Sequence, residues 1–370
     1  AIEDLAVTPM SLRASRNALQ SYCDQYLNIV PPEIGRFRVA LPYVFLMMVD
    51  YGSLAPDKAN LGWLSQREIM FTFPVEQYCL VNGQYVFKDW AWLTPYIFVD
   101  NGMSMTLGRT VYGWTKELVQ IGPTADEWLQ DPSRPLQAAC VNAAVFPEVY
   151  AGKRQELRTF LEVDRRPPFT VFQMPVDQNN PFFPWAVWGA LFKDANRLSR
   201  DMMTVLSSMG FFTPPPGGRG PTPENRMRMM GTAIRSVSPE TFALNFRTLN
   251  LKQFRASEDP ARYCYQSLTD ANMKLQSVNR FGLLGDFGTL AGDTSGGVGI
   301  TLHRWASLPI IETLGLDTAR EWRVDGVDIA YLQPVMPFWY DVDMLYERGV
   351  NIAWRTFDTN WHDQVGNVYE

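Results

Sequence analysis

The chain has few of the residues that build metal centres and disulfide frameworks. Its 370 residues include only 2 histidines and 4 cysteines. His303 and His362 lie far apart in the sequence, and no two cysteines have the CxxC spacing of a zinc ligand pair. This scarcity argues against a multi-histidine metal site and against a disulfide scaffold. We therefore expect free thiols in a reducing compartment, no metal and no cofactor.

Positive charge is also scarce. The 33 lysines and arginines are outnumbered by 39 acidic residues, giving a net charge of −6, and no long basic run occurs. A nucleic-acid partner is not expected, because phosphate binding needs clustered basic residues. The most apolar run, Val39 to Val49, contains Pro42 and is too short to span a bilayer. The N-terminus lacks the charged-then-apolar order of a secretory signal. We expect a cytoplasmic protein with no membrane association.

Aromatic residues are abundant, at 13% of the chain, which suits β-sheet faces and large cores.

Asn82-Gly83 predicts a tight hairpin turn, since both residues tolerate positive φ. The alternation of strands and turns indicates a meandering antiparallel sheet and argues against a Rossmann sheet. Strand-like runs occur at 37–49, 69–75, 77–81, 85–92, 96–99, 156–163, 169–175, 241–255, 260–269, 282–291, 298–305 and 326–335.

Helical patterns occur in two places. Ser11 is a candidate cap for a helix that Pro31-Pro32 ends, and a second helical pattern covers 185–209. The Pro/Gly-rich stretch 213–221 predicts a loop or lid. This organisation predicts an N-terminal helical segment at 1–34, followed by a single domain at 35–370. An insertion of more helical character is expected within that domain, at about 150–235.

Lys116 is the residue with the clearest chemical potential. It is the only lysine between Lys88 and Lys153, and its neighbours include Tyr112, Trp114 and Leu118. Burial in such surroundings penalises the charged ammonium and favours the neutral amine that attacks a carbonyl group. The residues alone leave an alternative open, in which the lysine extends off a strand edge into solvent or pairs with Glu117.

The segment around this lysine resembles a known family. Gly108-Arg-Thr-Val-Tyr-Gly-Trp-Thr-Lys-Glu-Leu118 is similar to the Gly-Arg-Glu-x-x-Gly-Tyr/Phe-Pro-Lys-Lys-Leu signature of the acetoacetate decarboxylase superfamily. The resemblance extends over about 35–125 and 240–350. It implies a β-rich α+β fold, an antiparallel double sheet or barrel-like arrangement with added helices. It also implies a homo-oligomer and an imine between Lys116 and a small-molecule carbonyl substrate.

The segment departs from the signature at three positions. Thr110 replaces the glutamate, Thr115 the proline, and Glu117 the second lysine. In acetoacetate decarboxylase the charge of that second lysine favours the neutral form of the nucleophile. Glu117 would have the opposite effect if it faced the amine. Alternation along an extended strand predicts that it points away, which leaves activation of Lys116 to burial.

Further candidate residues come with alternatives. The resemblance places a proton-shuttling carboxylate at Glu76, which otherwise reads as a surface strand residue. Arg109 could bind a substrate carboxylate or brace its loop, and Arg36, with Arg38, could anchor a carboxylate or simply be solvated. Tyr112 and Trp114 are predicted to contact the substrate.

Three functions follow from these candidates. The first is a carbon–carbon lyase of the decarboxylase type, acting through an imine at Lys116 on a keto acid or related carbonyl compound. The second uses the same lysine as an aldolase, dehydratase or cyclase acting on a larger keto substrate. The third is a non-catalytic ligand-binding barrel, because a fold alone does not decide function.

Overall fold

A computed structural model describes residues 2–55, 62–122, 136–149, 152–166, 171–174, 245–284, 297–334, 338–347 and 349–354. These residues form mostly β-strands, with a few short helices. In the first half of the chain the elements are β1 Ile2–Arg13, α1 Arg16–Tyr26, β2 Arg36–Val39, β3 Tyr43–Leu54, β4 Leu64–Val81, β5 Gln84–Val99, α2 Gly102–Leu107, a π-helix at Gly108–Tyr112, β6 Lys116–Leu118, β7 Gln120–Gly122, β8 Leu136–Val145, β9 Glu156–Arg166 and β10 Val171–Met174. In the second half they are β11 Asn245–Arg255, β12 Tyr263–Leu284, β13 Gly297–His303, α3 Ile310–Leu314, β14 Arg320–Val324, β15 Val327–Leu332, β16 Phe338–Tyr346 and β17 Val350–Trp354.

The strands form two sheets. The larger has the order β2-β4-β3-β1-β16-β12-β11-β5-β6, with β10 and β17 also pairing with β12, and β4 also pairing with β5. The smaller has the order β14-β15-β13-β9-β8-β7. Among the described strands, only β5 with β6 and β5 with β11 are parallel. The predicted double-sheet, β-rich architecture is therefore confirmed, and so is the exclusion of a Rossmann sheet.

The two faces of the larger sheet are packed differently. One face packs against the smaller sheet, as shown by Phe98 of β5 and Phe160 of β9, whose ring centroids are 4.5 Å apart. The other face carries a second buried cluster that includes Ile97 and Val99 and packs against Trp114 and Tyr346. Because side chains alternate along β5, residue 98 belongs to the first core and its two neighbours belong to the second.

The predicted hairpin at Asn82-Gly83 joins β4 to β5, with φ values of 50° and 76° at its two residues. A second hairpin, at Asp325-Gly326 between β14 and β15, has φ values of 50° and 84°. That dipeptide was not predicted as a turn, although it carries the same signal. In both turns the residue before glycine tolerates the left-handed region.

Several predicted strands are continuous where the sequence suggested a break. Residues 64–81 form one strand, and so do residues 84–99, despite Pro95. The β4–β5 register shifts between Phe71, which pairs with Tyr96, and Phe73, which pairs with Leu93. Thr94 and Pro95 thus oppose a single residue in a β-bulge. A bulge tolerates proline because the extra residue leaves the hydrogen-bond ladder.

The predicted N-terminal helix begins later than expected. Residues 2–13 form β1, which pairs with both β3 and β16 in the larger sheet. Ser11 lies inside that strand, and the helix cap is Ser15, whose hydroxyl accepts a hydrogen bond from Ala18 N. The sequence misled here because residues 5–10 are mostly buried on both faces of β1 and show no regular alternation of apolar and polar residues.

Within the predicted insertion at 150–235, β9 pairs with β8 and β13 and is an integral strand of the smaller sheet. The predicted helix at 185–209 and loop at 213–221 lie outside the described residues. Within the described ranges, no helix has the length and apolar character needed to cross a bilayer.

Candidate active site

Lys116 is the first residue of β6 and is 3% exposed. The strand pairs with β5 in parallel, with Ile97 opposite Lys116. Alternation along β6 turns Lys116 into the protein and Glu117 outwards. Of the two possibilities for this lysine, burial is the one observed.

A buried carboxylate and a buried hydroxyl meet the amine. Lys116 Nζ lies 2.7 Å from Glu68 Oε2, and it donates a hydrogen bond to Ser104 Oγ at 3.0 Å. The Glu68 side chain is only 4% exposed. Such a pair persists out of water only with good geometry, because both charges lose their hydration.

The register of the larger sheet brings Glu68 and Lys116 together. Glu68 lies opposite Val99 on one side of β5, while Lys116 lies opposite Ile97 on the other side. Val99 and Ile97 are two residues apart, so their side chains project from the same face. The carboxylate and the amine therefore approach each other over one face of β5.

Ser104 is positioned by the cap of α2. The Asn101 side chain accepts hydrogen bonds from Met103 N at 3.0 Å and from Ser104 N at 3.2 Å, which fixes the first turn. Ser104 is buried beneath this turn and presents its hydroxyl to Lys116.

At both glycine positions of the motif, a larger side chain would collide with a neighbouring residue. A Cβ on Gly108 would lie 2.6 Å from Lys116 Cδ, so only glycine leaves room for the lysine stem. Gly113 has a φ of 73°, and a Cβ there would lie 2.6 Å from the Cα of Lys252 in β11.

Thr115 anchors β6 to the bulge of β5. Its hydroxyl lies 3.1 Å from the carbonyl oxygen of Thr94 and 2.9 Å from that of Pro95, and donates to them. A bulge leaves carbonyl groups outside the regular ladder, where a side chain can reach them. At the position where the signature has proline, this chain therefore has a hydrogen-bonding anchor directly before Lys116.

An aromatic cluster covers the amine. Lys116 Nζ is 4.8 Å from the centroid of the Trp114 ring, which stacks on Tyr112 with centroids 4.9 Å apart. Tyr346 of β16 contacts both rings, at 5.1 Å from Tyr112 and 5.6 Å from Trp114. Tyr112 and Trp114 thus lie together with Lys116, as the sequence predicted, and Tyr346 joins them from a distant part of the chain.

The tyrosines of this cluster resist ionisation. Burial raises the pKa of Tyr112. Burial also raises the pKa of Tyr346 well above its usual value of 10, and the nearby Tyr112 and Glu68 raise it further. Both phenols therefore remain protonated at neutral pH and can donate a hydrogen bond.

Glu68 accepts two further hydrogen bonds, from Tyr51 and Gln66. The Tyr51 hydroxyl lies 3.3 Å from Oε1, and Gln66 Nε2 lies 3.3 Å from Oε2. Together with Lys116, these donors neutralise and orient the carboxylate in a site closed to water.

Glu76, the predicted proton shuttle, lies elsewhere. Its Oε2 binds Arg38 Nη2 at 2.6 Å and accepts a hydrogen bond from the Tyr78 hydroxyl at 2.6 Å. Glu76 is eight residues from Glu68 along β4, or roughly 26 Å at the usual strand rise. The carboxylate at the lysine is therefore Glu68, and the assignment of this role to Glu76 is wrong.

The predicted arginines do not face the amine. Arg36 donates to the backbone carbonyls of Val30 and Gly35 and so braces the loop before β2. Arg109 lies on the exposed side of the π-helix. Partial burial raises the pKa of Glu117, and the charge of Arg109 opposes that effect. Glu117 is exposed on β6, whereas Lys116 is buried, so the two side chains point in different directions.

Sequence reasoning missed Glu68, Ser104 and Tyr346. Ser104 lies shortly before the Gly108–Leu118 motif, but a serine at this distance from a lysine does not belong to any motif that predicts a contact between them. Glu68 was detectable only as an acidic residue beside a predicted buried strand. Tyr346 lies more than 200 residues from Lys116, and only strand pairing brings it close.

Among the described residues, no three histidine, cysteine, aspartate or glutamate side chains converge as metal ligands do. A pocket of about 590 Å³ lies near the C-terminal end of α1, lined by residues such as Tyr26, Gln253 and Arg262. It does not include Lys116, and the buried cluster around that lysine remains the centre with reactive groups.

Comparisons with known proteins gave matches among solved structures only. No protein-family model matches the chain, and no curated protein matches it. Acetoacetate decarboxylase from Legionella pneumophila subsp. pneumophila is 12% identical, covering 95% of this chain and 86% of its own, with a TM-score of 0.49. The enduracididine biosynthesis enzyme MppR with bound HEPES is 12% identical, covering 95% and 86%, with a TM-score of 0.44. An acetoacetate decarboxylase-like enzyme from Sphingomonas wittichii is 10% identical, covering 95% and 94%, with a TM-score of 0.42. The chain is thus similar to acetoacetate decarboxylase and to acetoacetate decarboxylase-like enzymes, the family that its Gly108–Leu118 segment resembles.

Proposed function

We propose that this chain is an enzyme that forms an imine between Lys116 and the carbonyl group of a small-molecule substrate. The observation that supports this most directly is the amine of Lys116, 3% exposed and 2.7 Å from the buried carboxylate of Glu68. A lysine whose only function was solubility would extend into water. Here the sheet register, two glycines and an aromatic cluster hold it inside the protein.

Glu68 supplies the proton transfers that imine formation requires. The carboxylate takes one proton from the ammonium group, and the resulting neutral amine attacks the carbonyl carbon. The attacking nitrogen gives one of its protons to the former carbonyl oxygen, which becomes a hydroxyl group. The carboxylic acid then returns its own proton to that hydroxyl group, which leaves as water. The product is a protonated imine whose positive charge is balanced by Glu68.

The protonated imine accepts electrons from a neighbouring bond. When that bond leads to a carboxylate, the carbon–carbon bond breaks, CO₂ departs and the electron pair forms an enamine. A proton donor then reprotonates the enamine carbon, and water releases the product. This is the decarboxylase reaction that the resemblance implies.

A second candidate is aldol, retro-aldol, dehydration or cyclisation chemistry on a larger keto substrate. It is favoured by the surroundings of the amine, where the carboxylate of Glu68 is the nearest charged group, Arg36 is bound to backbone carbonyl groups and Arg109 is exposed. Tyr112 and Tyr346, held protonated by burial, are suited to donating hydrogen bonds to an oxygen atom of such a substrate.

Borohydride trapping tests the imine. The protein is incubated with a panel of ketones and keto acids, reduced, and analysed by intact mass and peptide mapping. We expect a mass increase localised to Lys116 and absent from Lys116→Arg. If no carbonyl compound adds to Lys116, both enzymatic candidates are wrong and the chain is a ligand-binding protein. CO₂ release measured in parallel separates decarboxylation from the second candidate.

Two carboxylate variants test the role of Glu68. We expect Glu68→Gln to slow adduct formation about 100-fold, a usual size for losing a general acid–base group. Glu76→Gln is the matched control, since the same strand carries it but its partners are Arg38 and Tyr78. It should trap the substrate at the unmodified rate, with melting curves confirming that both variants fold. Equal rates for Glu68→Gln and the unmodified chain would remove Glu68 from the mechanism.

A further inference from the structure

Gln66 has a buried oxygen atom with no hydrogen-bond partner. Its side chain lies on β4, 4% exposed, two residues before Glu68. Its Nε2 donates to Glu68 Oε2 at 3.3 Å. Its Oε1 makes no hydrogen bond within the part of the chain that the structure describes.

Glu68 fixes which way the Gln66 amide points. An ionised carboxylate only accepts hydrogen bonds, so the NH₂ group must face it. Turning the amide over would place two acceptor oxygens against each other and would also leave the NH₂ group without this acceptor. The oxygen atom therefore stays on the side away from Glu68.

The amide of Gln66 lies beside the reacting amine. Gln66 Nε2 and Lys116 Nζ contact the same oxygen atom, Glu68 Oε2, at 3.3 and 2.7 Å. The two nitrogen atoms are thus separated by no more than the sum of these contacts, about 6 Å. Gln66 Oε1 belongs to the same amide group, roughly 2.3 Å from Nε2, so it lies within about 8 Å of Lys116 Nζ, a distance that a small substrate bound to the amine can span.

A buried carbonyl oxygen without a donor is a cost that a bound molecule can remove. Sites built to bind a hydroxyl or N–H group of a substrate reject analogues lacking it, because the site's polar atom is then left unpaired. Gln66 Oε1 meets this description, since it is an acceptor, it is buried and its orientation is fixed.

We propose that Gln66 selects carbonyl substrates that carry a neutral hydrogen-bond donor, a hydroxyl group, next to the reacting carbonyl. The hydroxyl donates to Gln66 Oε1 while the carbonyl carbon bonds to Lys116 Nζ. This inference rests on the proposed imine at Lys116 and names its substrate class, hydroxylated ketones. Gln66 is then a specificity-determining residue.

Three ketones test this selection by borohydride trapping at Lys116. Hydroxyacetone carries the donor. Methoxyacetone keeps the electron-withdrawing oxygen but has no donor, and butanone keeps the size of hydroxyacetone without any oxygen there. We expect the unmodified chain to trap hydroxyacetone at least about tenfold faster than methoxyacetone, after correction for their reactivity with free lysine.

Substitution of Gln66 should remove that preference. Gln66→Met keeps the shape of the side chain and removes the oxygen, and Gln66→Asn withdraws the oxygen by one carbon. In both variants the ratio of hydroxyacetone to methoxyacetone should fall to that of free lysine. Tyr51→Phe removes a different donor to Glu68. It is the matched control, and should change the rates for all three ketones by the same factor.

The two proposals fail in different ways. If butanone and hydroxyacetone both add to Lys116 but the unmodified chain shows no preference beyond that of free lysine, the selection by Gln66 is wrong and the imine proposal stands. The same conclusion follows if the preference persists in Gln66→Met. If no ketone adds to Lys116, the imine proposal is wrong and the selection is wrong with it.

Discussion

At the residue scale, the position of Lys116 depends on residue 108 being a glycine, which has no side chain. The lysine stem passes Gly108 so closely that a single added methyl group would overlap Lys116 Cδ and Cε, at 2.6 and 2.9 Å. The backbone of Gly108 is right-handed, with a φ of −59°. The glycine is therefore needed for space and not for conformation.

Gly108→Ala should displace the amine while leaving the fold intact. A displacement of about 1 Å at a reacting group costs up to roughly 100-fold in rate, so we expect trapping at Lys116 to slow by about 10- to 100-fold. Gly102→Ala is the matched control, because a Cβ there would meet nothing within 4 Å. It should trap at the unmodified rate. Unchanged trapping in Gly108→Ala would show that the lysine does not need this space.

The direction of its side chain explains why Glu117, at the position of the second lysine of the acetoacetate decarboxylase signature, does not act on the amine. Lys116 and Glu117 are adjacent in sequence, yet β6 turns one inward and the other outward. The charge that acts on the amine comes from Glu68, 48 positions earlier in the chain. Adjacency along a strand is thus a poor guide to electrostatic contact.

At the element scale, helix α1 is tied to the larger sheet by a tyrosine. The Tyr26 hydroxyl donates to Leu251 O at 3.4 Å and accepts from Leu251 N at 3.1 Å. Burial raises the pKa of Tyr26 to about 12, and the hydrogen bond to the Leu251 carbonyl group lowers it by less. Burial also raises the pKa of the neighbouring Tyr22.

These tyrosines make the protein sensitive to alkali. An unfolded tyrosine ionises near pH 10. The stability that Tyr26 contributes is therefore complete below pH 10 and is lost as the pH rises from 10 through 12, because the unfolded chain gives up its proton first. Urea unfolding at pH 9 and pH 11 should show a fall in stability about 1 kcal/mol larger for the unmodified chain than for Tyr26→Phe. Equal falls in both proteins would contradict this account.

At the scale of the whole molecule, β1 is a central strand of the larger sheet. Ala6 pairs with Asp50 of β3 on one side and with Asp341 of β16 on the other. On whichever side the N–H group of Ala6 points, it has a neighbouring strand. Residues 2–13 therefore connect β3 to β16, a strand more than 280 positions later in the chain.

Ala6→Pro should destabilise the whole protein. Proline removes a ladder hydrogen bond and strains a central strand, at a cost of about 3 kcal/mol or more. Ala6→Ser makes a change of similar size without removing the N–H group, and it should cost far less. Thermal unfolding followed by circular dichroism should place Ala6→Pro several degrees below Ala6→Ser. Similar melting temperatures would mean that β1 contributes little to the fold.

Local features of the chain were predictable where a short stretch of residues decides the structure. Asn82-Gly83 determines a hairpin because its backbone angles suit few other residues. Gly108 and Gly113 both precede Lys116 in the motif, and the structure shows that each is needed for close packing. The inward direction of Lys116 and the outward direction of Glu117 follow from strand alternation.

The partners of Lys116 could not be predicted in the same way. Glu68, Ser104 and Tyr346 come from a strand, a helix and another strand, and their contacts depend on register between distant segments. Glu76 and Glu68 lie on one strand, and a reading of the sequence cannot tell which of them stands beside β6. That choice is made by the pairing of β4 with β5 and of β5 with β6.

The sequence by itself determined the β-rich class, the hairpin turn and the candidate nucleophile, because each depends on the chemistry of a few neighbouring residues. The tertiary structure alone decided which carboxylate meets the amine and which arginines face elsewhere. The physical reason is that a strand's partners are set by hydrogen bonding and packing across the whole sheet. Only the assembled sheet places two charges within 2.7 Å of each other.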